Sequence, residues 1–205
     1  MNGLLVIALA TLASARPAAR AAEPSPSTSN VWLAPKVGFF KSTAALDGDL
    51  YLAMELGYVA PVLKRRLAVT LEVGYHRPQK TGTLQGPRLD AEAPPVEYTL
   101  AVREVALLLC AVYRFERAVG TLTPYAGAGP GLYLHRATSD VLGETASESG
   151  TRLGFQAIVG VELPVGTGGA FLEAHYHFAP LDLVTTGSVN VGGFLAGALG
   201  YRLRL

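Results

Sequence analysis

Apolar and polar residues alternate along most of the chain. Leu50, Leu52, Met54, Leu56 and Tyr58 share one parity, with Tyr51, Ala53, Glu55 and Gly57 between them. Successive strand side chains point to opposite faces, so this alternation predicts a β-strand with one apolar face. The same pattern recurs over residues 67–75, 154–163, 171–178 and 194–205. It is less regular over 31–41, 99–114 and 123–136. That makes eight predicted strands, and no window of helical period competes with them. Within 99–114 the apolar parity changes. Tyr98, Leu100 and Val102 lie on one parity and Val105, Leu107, Leu109, Ala111 and Tyr113 on the other, which predicts a bulge near Arg103–Glu104. Pro35, Pro124 and Pro130 fall inside predicted strands and call for bulges or unpaired backbone positions.

The connections alternate as well. Segments 61–66, 115–122 and 164–169 are short, whereas 82–95 and 138–150 are longer and polar. Short turns alternating with long loops are the mark of an up-and-down barrel in an outer membrane. The expected fold is therefore all-β, an eight-stranded antiparallel up-and-down transmembrane β-barrel, with both termini on the short-turn, periplasmic side.

The chemistry of the two faces decides which one meets lipid. A soluble lipocalin-like barrel would carry a wet outer face rich in Lys, Glu, Gln, Asn and Ser. Here the less apolar face is mostly Gly, Ala and Thr with about one charge per strand, which suits a cramped interior. Glu55, Glu72, Glu162 and Glu173 are expected to point inward with Arg202, and Glu–Arg pairing is expected because an isolated buried carboxylate is costly. Arg204, near the chain end, is placed at a hydrated rim. Glu173, His175 and His177 share one strand face. A lumenal hydrogen-bond network is the stronger reading of that trio than a metal site, since no further ligand is identifiable. His76 and His135 are placed near loop ends, in solvent. Tyr58, Tyr113 and Tyr201 at the short-turn ends, with Tyr75 and Phe178 at the long-loop ends, match the aromatic girdles of a membrane barrel.

Composition narrows the function classes. The chain has 205 residues, 50% of them hydrophobic and 16% charged, and a mean hydropathy of +0.30 without a long apolar helix. Its 17 Lys+Arg against 16 Asp+Glu give a net charge of +1, so no basic field marks a nucleic-acid partner. One Cys excludes a disulfide framework and a Cys-based zinc cluster. Residues 3–15 form a short apolar run, and Ala13-Ser14-Ala15 and Ala19-Arg20-Ala21 offer cleavage sites between Ala15 and Ala22. Residues 1–21 are read as a secretory signal peptide, 22–30 as a flexible leader, and 31–205 as the barrel domain. The glycine run 127–131 lacks a following Lys-Ser/Thr and opens no helix, so it is not a phosphate loop.

Three segments resemble the small outer-membrane β-barrel family, the OmpA/OmpX/OmpW-like proteins of Gram-negative bacteria. Residues 124–131 (PYAGAGPG) resemble the family's PYxGxGxG strand. Residues 171–176 (FLEAHY) resemble its xLExxY strand, whose Glu points into the lumen. The terminus, with Gly200, Tyr201, Leu203 and Leu205, resembles the signal read by the barrel-assembly machinery, although the family usually ends in Phe or Trp rather than Leu. The resemblance covers about residues 31–205 and implies an integral outer-membrane protein with lipid and lipopolysaccharide as its surroundings. Some such barrels modify lipid A, and that chemistry needs a nucleophile beside a base. The His-x-Ser pair of the deacylase type is missing, since His177 is followed by Phe178-Ala179 and His135 by Arg136-Ala137.

The expected function is a non-enzymatic structural and surface-interaction role, with no cofactor, no metal and no nucleic acid. Loops 78–96 and 137–150 would present surface to a partner that the sequence does not identify. No peptidoglycan-binding domain is expected after the last strand. Three alternatives stand beside this reading: a narrow pore or conduit for small hydrophobic molecules, a lipid A-modifying enzyme, and a soluble periplasmic carrier barrel. A lumen free of plugging charge would favour the conduit, and solubility without detergent the carrier.

Overall fold

A computed structural model of the chain describes residues 29–43, 46–84, 96–115, 121–183, 187–190 and 193–205. The expected signal peptide and the leader as far as residue 28 lie outside the described residues, as do residues 85–95 of the expected long connection and 116–120 of a short one.

The strands are β1 (Val31–Ser42), β2 (Asp49–Val59), β3 (Leu67–His76), β4 (Gln79–Leu84), β5 (Val96–Arg114), β6 (Thr123–Val141), β7 (Glu144–Val165), β8 (Gly168–Phe178), β9 (Pro180–Leu183), β10 (Gly187–Asn190) and β11 (Gly193–Arg204). Eight of them close a ring in the order β1-β2-β3-β5-β6-β7-β8-β11, and β11 pairs back onto β1. Every pairing in the ring is antiparallel. Closure leaves no edge strand in the ring, which satisfies the backbone wherever water is excluded. Two additions lie outside the ring. β4 carries β3 onward along β5, and β9 with β10 forms a separate hairpin between β8 and β11.

The parity of the sequence maps onto inside and outside. Trp32, Ala34, Lys36 and Phe40 of β1 are buried, whereas Val37 and Phe39 are exposed. Glu55 of β2 and Glu72 of β3 are buried, whereas Leu52, Met54, Leu56, Val69, Leu71 and Val73 are exposed. The exposed apolar side chains continue through Leu107, Leu109, Val159, Leu172 and Leu199, so the outer wall of the ring is an apolar belt.

The structure corrects three local expectations. No bulge lies at Arg103–Glu104. β5 holds one register with β6 on both sides of that point (Arg103↔Arg136, Glu104↔His135), and one register with β3 and β4 (His76↔Glu104, Gln79↔Ala101). The apolar parity changes because the wall continues past the belt. Leu107 and Leu109 face outward, while Val102 faces inward and is buried, as in a sheet whose outer side meets water. Secondly, residues 137–150 form a hairpin rather than a loop. β6 and β7 pair without a break from Thr123↔Glu162 to Val141↔Glu144, closed by Leu142 (φ 56) and Gly143 (φ 81). Two residues of positive φ make the turn whose twist matches the flanking strands. The segment is polar on both faces, so it shows no alternation. Thirdly, residues 79–84 of the expected loop 78–96 form β4, paired with β5 from Gln79↔Ala101 to Leu84↔Val96, while the register breaks lie between Phe39 and Phe40 of β1 against β11 and between Leu195 and Ala198 of β11 against β8.

The prolines sit where ladder positions are open. Pro35 pairs with Met54 but has no partner in β11, and Pro130 pairs with Phe155 but has none in β5. At the β2–β3 turn, Leu63, Lys64 and Arg65 hold φ of 49, 57 and 62, three successive non-glycine residues in the left-handed region. Lys64 is exposed, so its replacement costs no packing. Lys64→Gly is expected to stabilise the barrel by about 0.5–1 kcal/mol, because the left-handed penalty removed exceeds the entropy glycine adds to the unfolded chain. The check is the temperature at which the fast-migrating, unboiled band disappears from a gel, which should rise.

Candidate functional site in the barrel interior

The inward positions of β1, β2, β3, β8 and β11 deliver ionised side chains to the middle of the barrel. Lys36 is buried, and its Nζ donates to Glu55 Oε2 at 2.7 Å, Glu72 Oε2 at 2.6 Å and Glu173 Oε2 at 2.8 Å. All three hydrogens of the ammonium are thereby used. Glu173 accepts four donors: Lys36 and His175 Nε2 (2.7 Å) on one oxygen, Tyr125 Oη (2.7 Å) and Arg202 Nη2 (3.0 Å) on the other. Tyr51 Oη donates to Glu72 at 2.7 Å, and Trp32 Nε1 to Glu55 at 2.8 Å.

Nearer the short-turn end, Glu162 collects three arginines. Arg202 Nη1 lies at 2.6 Å, Arg204 Nη2 at 3.1 Å and Arg114 Nη2 at 3.2 Å. Arg204 is thus only a quarter exposed and bonded inward, which corrects the expectation of a hydrated rim residue. Arg202 bridges the two groups and lies 4.4 Å from the Tyr125 ring centroid and 4.6 Å from that of Phe171. Together four carboxylates (Glu55, Glu72, Glu162, Glu173) meet four cations (Lys36, Arg114, Arg202, Arg204), so the formal charges of these eight side chains cancel.

Glycines opposite the rings make room for this arrangement. Trp32 pairs with Gly57, and Tyr125 with Gly160. A Cβ on either glycine would run into the facing ring. The missing Cβ leaves each ring room over the strand backbone, from where it donates to Glu55 and Glu173.

Above the charges, towards the hairpin end, the interior changes character. Phe40, Tyr51, His76, Tyr133 and His177 pack as rings, with Phe40 and His76 centroids 4.1 Å apart and Tyr133 and His177 centroids 5.9 Å apart. Glu104 stands here, buried, with His135 Nε2 at 2.6 Å and His76 Nε2 at 3.8 Å. His76 and His135 are 1% and 3% exposed, which corrects the expectation that they lie in solvent. They follow the same inward parity as Glu72 and Tyr133, and the wall extends past them.

Of the residues selected from sequence, Glu55, Glu72, Glu162, Glu173, His175 and Arg202 come together in the charged cluster. His177 lies above it among the rings and makes no side-chain hydrogen bond among the described residues. Among those residues no three His, Cys, Asp or Glu side chains are grouped to hold a metal ion. Gly200 lies beneath the Phe171 ring, while Leu203 and Leu205 face outward, and the Leu205 amide donates to the Val31 carbonyl at 3.0 Å. Sequence reasoning missed Lys36, Glu104 and Tyr51. The parity of Ala34, Lys36, Gly38 and Phe40 contained the signal for Lys36, since it matches the small-residue face of the other strands.

Lys36→Met leaves Glu55, Glu72 and Glu173 without their shared cation. The expected loss of barrel stability is about 3–5 kcal/mol. Adding Glu72→Gln to that variant should recover part of it, because one uncompensated charge disappears. A double-mutant cycle on the unboiled band's melting temperature checks both.

No family model matches the chain, and no curated protein matches it. Solved structures do. The chain is similar to Neisserial surface protein A (NspA), with a TM-score of 0.50, 21% identity, and coverage of 85% of this chain and 96% of that one. It is also similar to a major outer membrane protein from Thermus thermophilus, with a TM-score of 0.53, 14% identity, and coverage of 85% and 99%. The chain thus shares the fold of small outer-membrane β-barrels.

Proposed function

We propose that this chain is an integral outer-membrane β-barrel whose work is structural: it anchors a rigid scaffold in the bilayer and presents the hairpin end for surface contacts. The observation that carries this reading is the reversed polarity of the wall, with ion pairs inside and an apolar belt outside. Soluble monomers rarely expose contiguous apolar patches beyond a few hundred Å². Here Leu56, Leu71, Leu109, Val159, Leu172 and Leu199 are all exposed, on strands spread around the ring. Tyr58, Tyr75 and Phe178, on the same outer face, support interfacial girdles. The fold shared with outer-membrane barrels supports the same compartment. The expected surroundings are outer-membrane lipid and lipopolysaccharide, with the barrel-assembly machinery as a transient partner.

The interior supports a scaffold over a conduit. Lys36 joins Glu72 of β3 to Glu173 of β8 and Arg202 joins Glu55 of β2 to Glu162 of β7, each pair on facing strands, and Phe40, Tyr51 and Tyr133 are fully buried above them. A non-enzymatic role is supported by the placement of the histidines. His135 faces Glu104 and His177 lies among rings, both sealed from any lipid substrate.

Two exposed leucines separate a membrane barrel from a soluble one. Leu71 in the belt is 49% exposed and Leu63 in the short turn is 61% exposed. In a bilayer, Leu71→Arg should cost about 2–4 kcal/mol, whereas Leu63→Arg should change little. In a soluble carrier both would be tolerated. Heat-modifiable mobility of the outer-membrane fraction reads the difference, and equal tolerance with recovery in the soluble fraction overturns the reading. In planar bilayers the protein should give no steady conductance.

A further inference from the structure

We infer that a row of three arginines on the outer wall, Arg77, Arg103 and Arg136, is a binding site for the phosphate of a lipid headgroup. The inference rests on the outer-membrane reading above. His76↔Glu104 and Gln79↔Ala101 keep one register, which sets Arg77 beside Arg103, and Arg103 is the direct cross-strand partner of Arg136. All three are exposed and share the outward parity of Leu107 and Leu134. They surround a cavity of about 240 Å³ whose remaining lining is Ala101 and Thr138. The small Ala101 leaves the hollow into which the guanidiniums open.

Asp49 Oδ2 accepts from the Arg77 backbone amide at 2.6 Å, but among the described residues none of the three guanidiniums has an ion pair, although the interior cations Lys36, Arg114, Arg202 and Arg204 all do. Like charges directly opposite on a sheet are destabilising. Adjacent strands are about 4.8 Å apart, so three unpaired guanidiniums in a row are a standing repulsion that an anion relieves. Arginine's planar fork binds phosphate through paired N–H···O bonds, and neighbouring forks can share one phosphate. The height of the row selects the source of that phosphate. Two residues below it in each strand lie Tyr75, Val105 and Leu134, the top of the apolar belt, about 7 Å away. Above it lie Ala101 and Thr138, then Thr99 and Asp140. The row therefore stands where acyl chains end and headgroups begin, on the hairpin side. A phosphorylated glycolipid seated there would place its chains on the belt and its phosphate in the cavity. A soluble phosphate would use the cavity without the belt.

The test uses the full chain, extracted from outer membranes in a neutral, phosphate-free detergent. Diphosphoryl lipid A, its dephosphorylated counterpart and sodium pyrophosphate are each titrated, with native mass spectrometry counting bound ligand. Diphosphoryl lipid A should bind with an affinity that falls as salt rises. Arg103→Gln should weaken it about tenfold, and the triple replacement with Gln should abolish it. Arg65→Gln, which removes the same charge at the short-turn end, should leave it unchanged. Arg136→Gln serves where the triple variant does not fold. Equal binding of the dephosphorylated lipid, or full binding by the folded triple variant, overturns the site. Pyrophosphate binding as tightly as the lipid overturns the lipid source. Absence of a heat-modifiable wild-type band from the outer membrane overturns the barrel reading itself and is distinct from failure of the arginine row.

Discussion

Lys36 sits where no water can reach it, and the rest of the interior is arranged around that fact. A buried ammonium is tolerable only when its charge and all its hydrogens are matched. Glu55, Glu72 and Glu173 match the hydrogens but bring two negative charges too many, and Glu162 adds another. Arg202 supplies positive charge to Glu55, Glu162 and Glu173, and Arg114 and Arg204 both end on Glu162, so the balance is struck over the whole cluster rather than pair by pair. The cluster closes at four against four. Lys36, Arg202, Glu162 and Glu173 each have several partners, so the side chains are better regarded as one unit than as separate salt bridges.

This unit fixes the strands as well as the charges. Its members come from β1, β2, β3, β5, β7, β8 and β11, so a one-residue slip of any of those strands would send its charged residue out to the apolar wall. The glycines serve the same end. Gly57 and Gly160 sit directly opposite Trp32 and Tyr125, and the absent side chains leave those rings room to donate to Glu55 and Glu173. A sheet of large apolar residues on both faces could close into a ring of this size only with its centre overfilled.

Much of this was legible in the sequence, for a definite reason. An alternating strand records its two environments on its two parities, and each of the eight ring strands carries a run of that kind. Strand positions 50–58 and 67–75 needed nothing else. What escaped were places where the environment changes along a strand. At Arg103 the wall leaves the belt, the apolar residues cross to the inside, and the switch resembles a bulge. From Ala137 to Gly150 neither face is apolar, so a long hairpin resembles a loop. His76 and His135 resembled loop-end residues because the wall's extension was not visible. Lys36 was lost for the opposite reason: Pro35 and the neighbouring bulge blur the pattern of β1, although its parity was correct. The pairing of Lys36 with three particular carboxylates depends on which strands meet across the axis, and no single strand records that.

The same register that fills the lumen explains the arginines outside it. Inward and outward residues alternate on one backbone, so a strand that places Glu104 opposite His135 must place Arg103 opposite Arg136 on the other side. Inside, charges are matched because the barrel provides no other partner. Outside, at the upper edge of the belt, no described carboxylate forms an ion pair with the row (Asp49 bonds only the Arg77 backbone amide), and the three guanidiniums remain side by side. A lone exposed arginine at that height would be ordinary. Three in register, each one strand apart and each unpaired, keep a repulsion that any of several single substitutions would remove. The asymmetry between a charge-balanced inner cluster and an unmatched outer row is understandable if the outer row meets its counter-charge in the surrounding leaflet rather than in the protein.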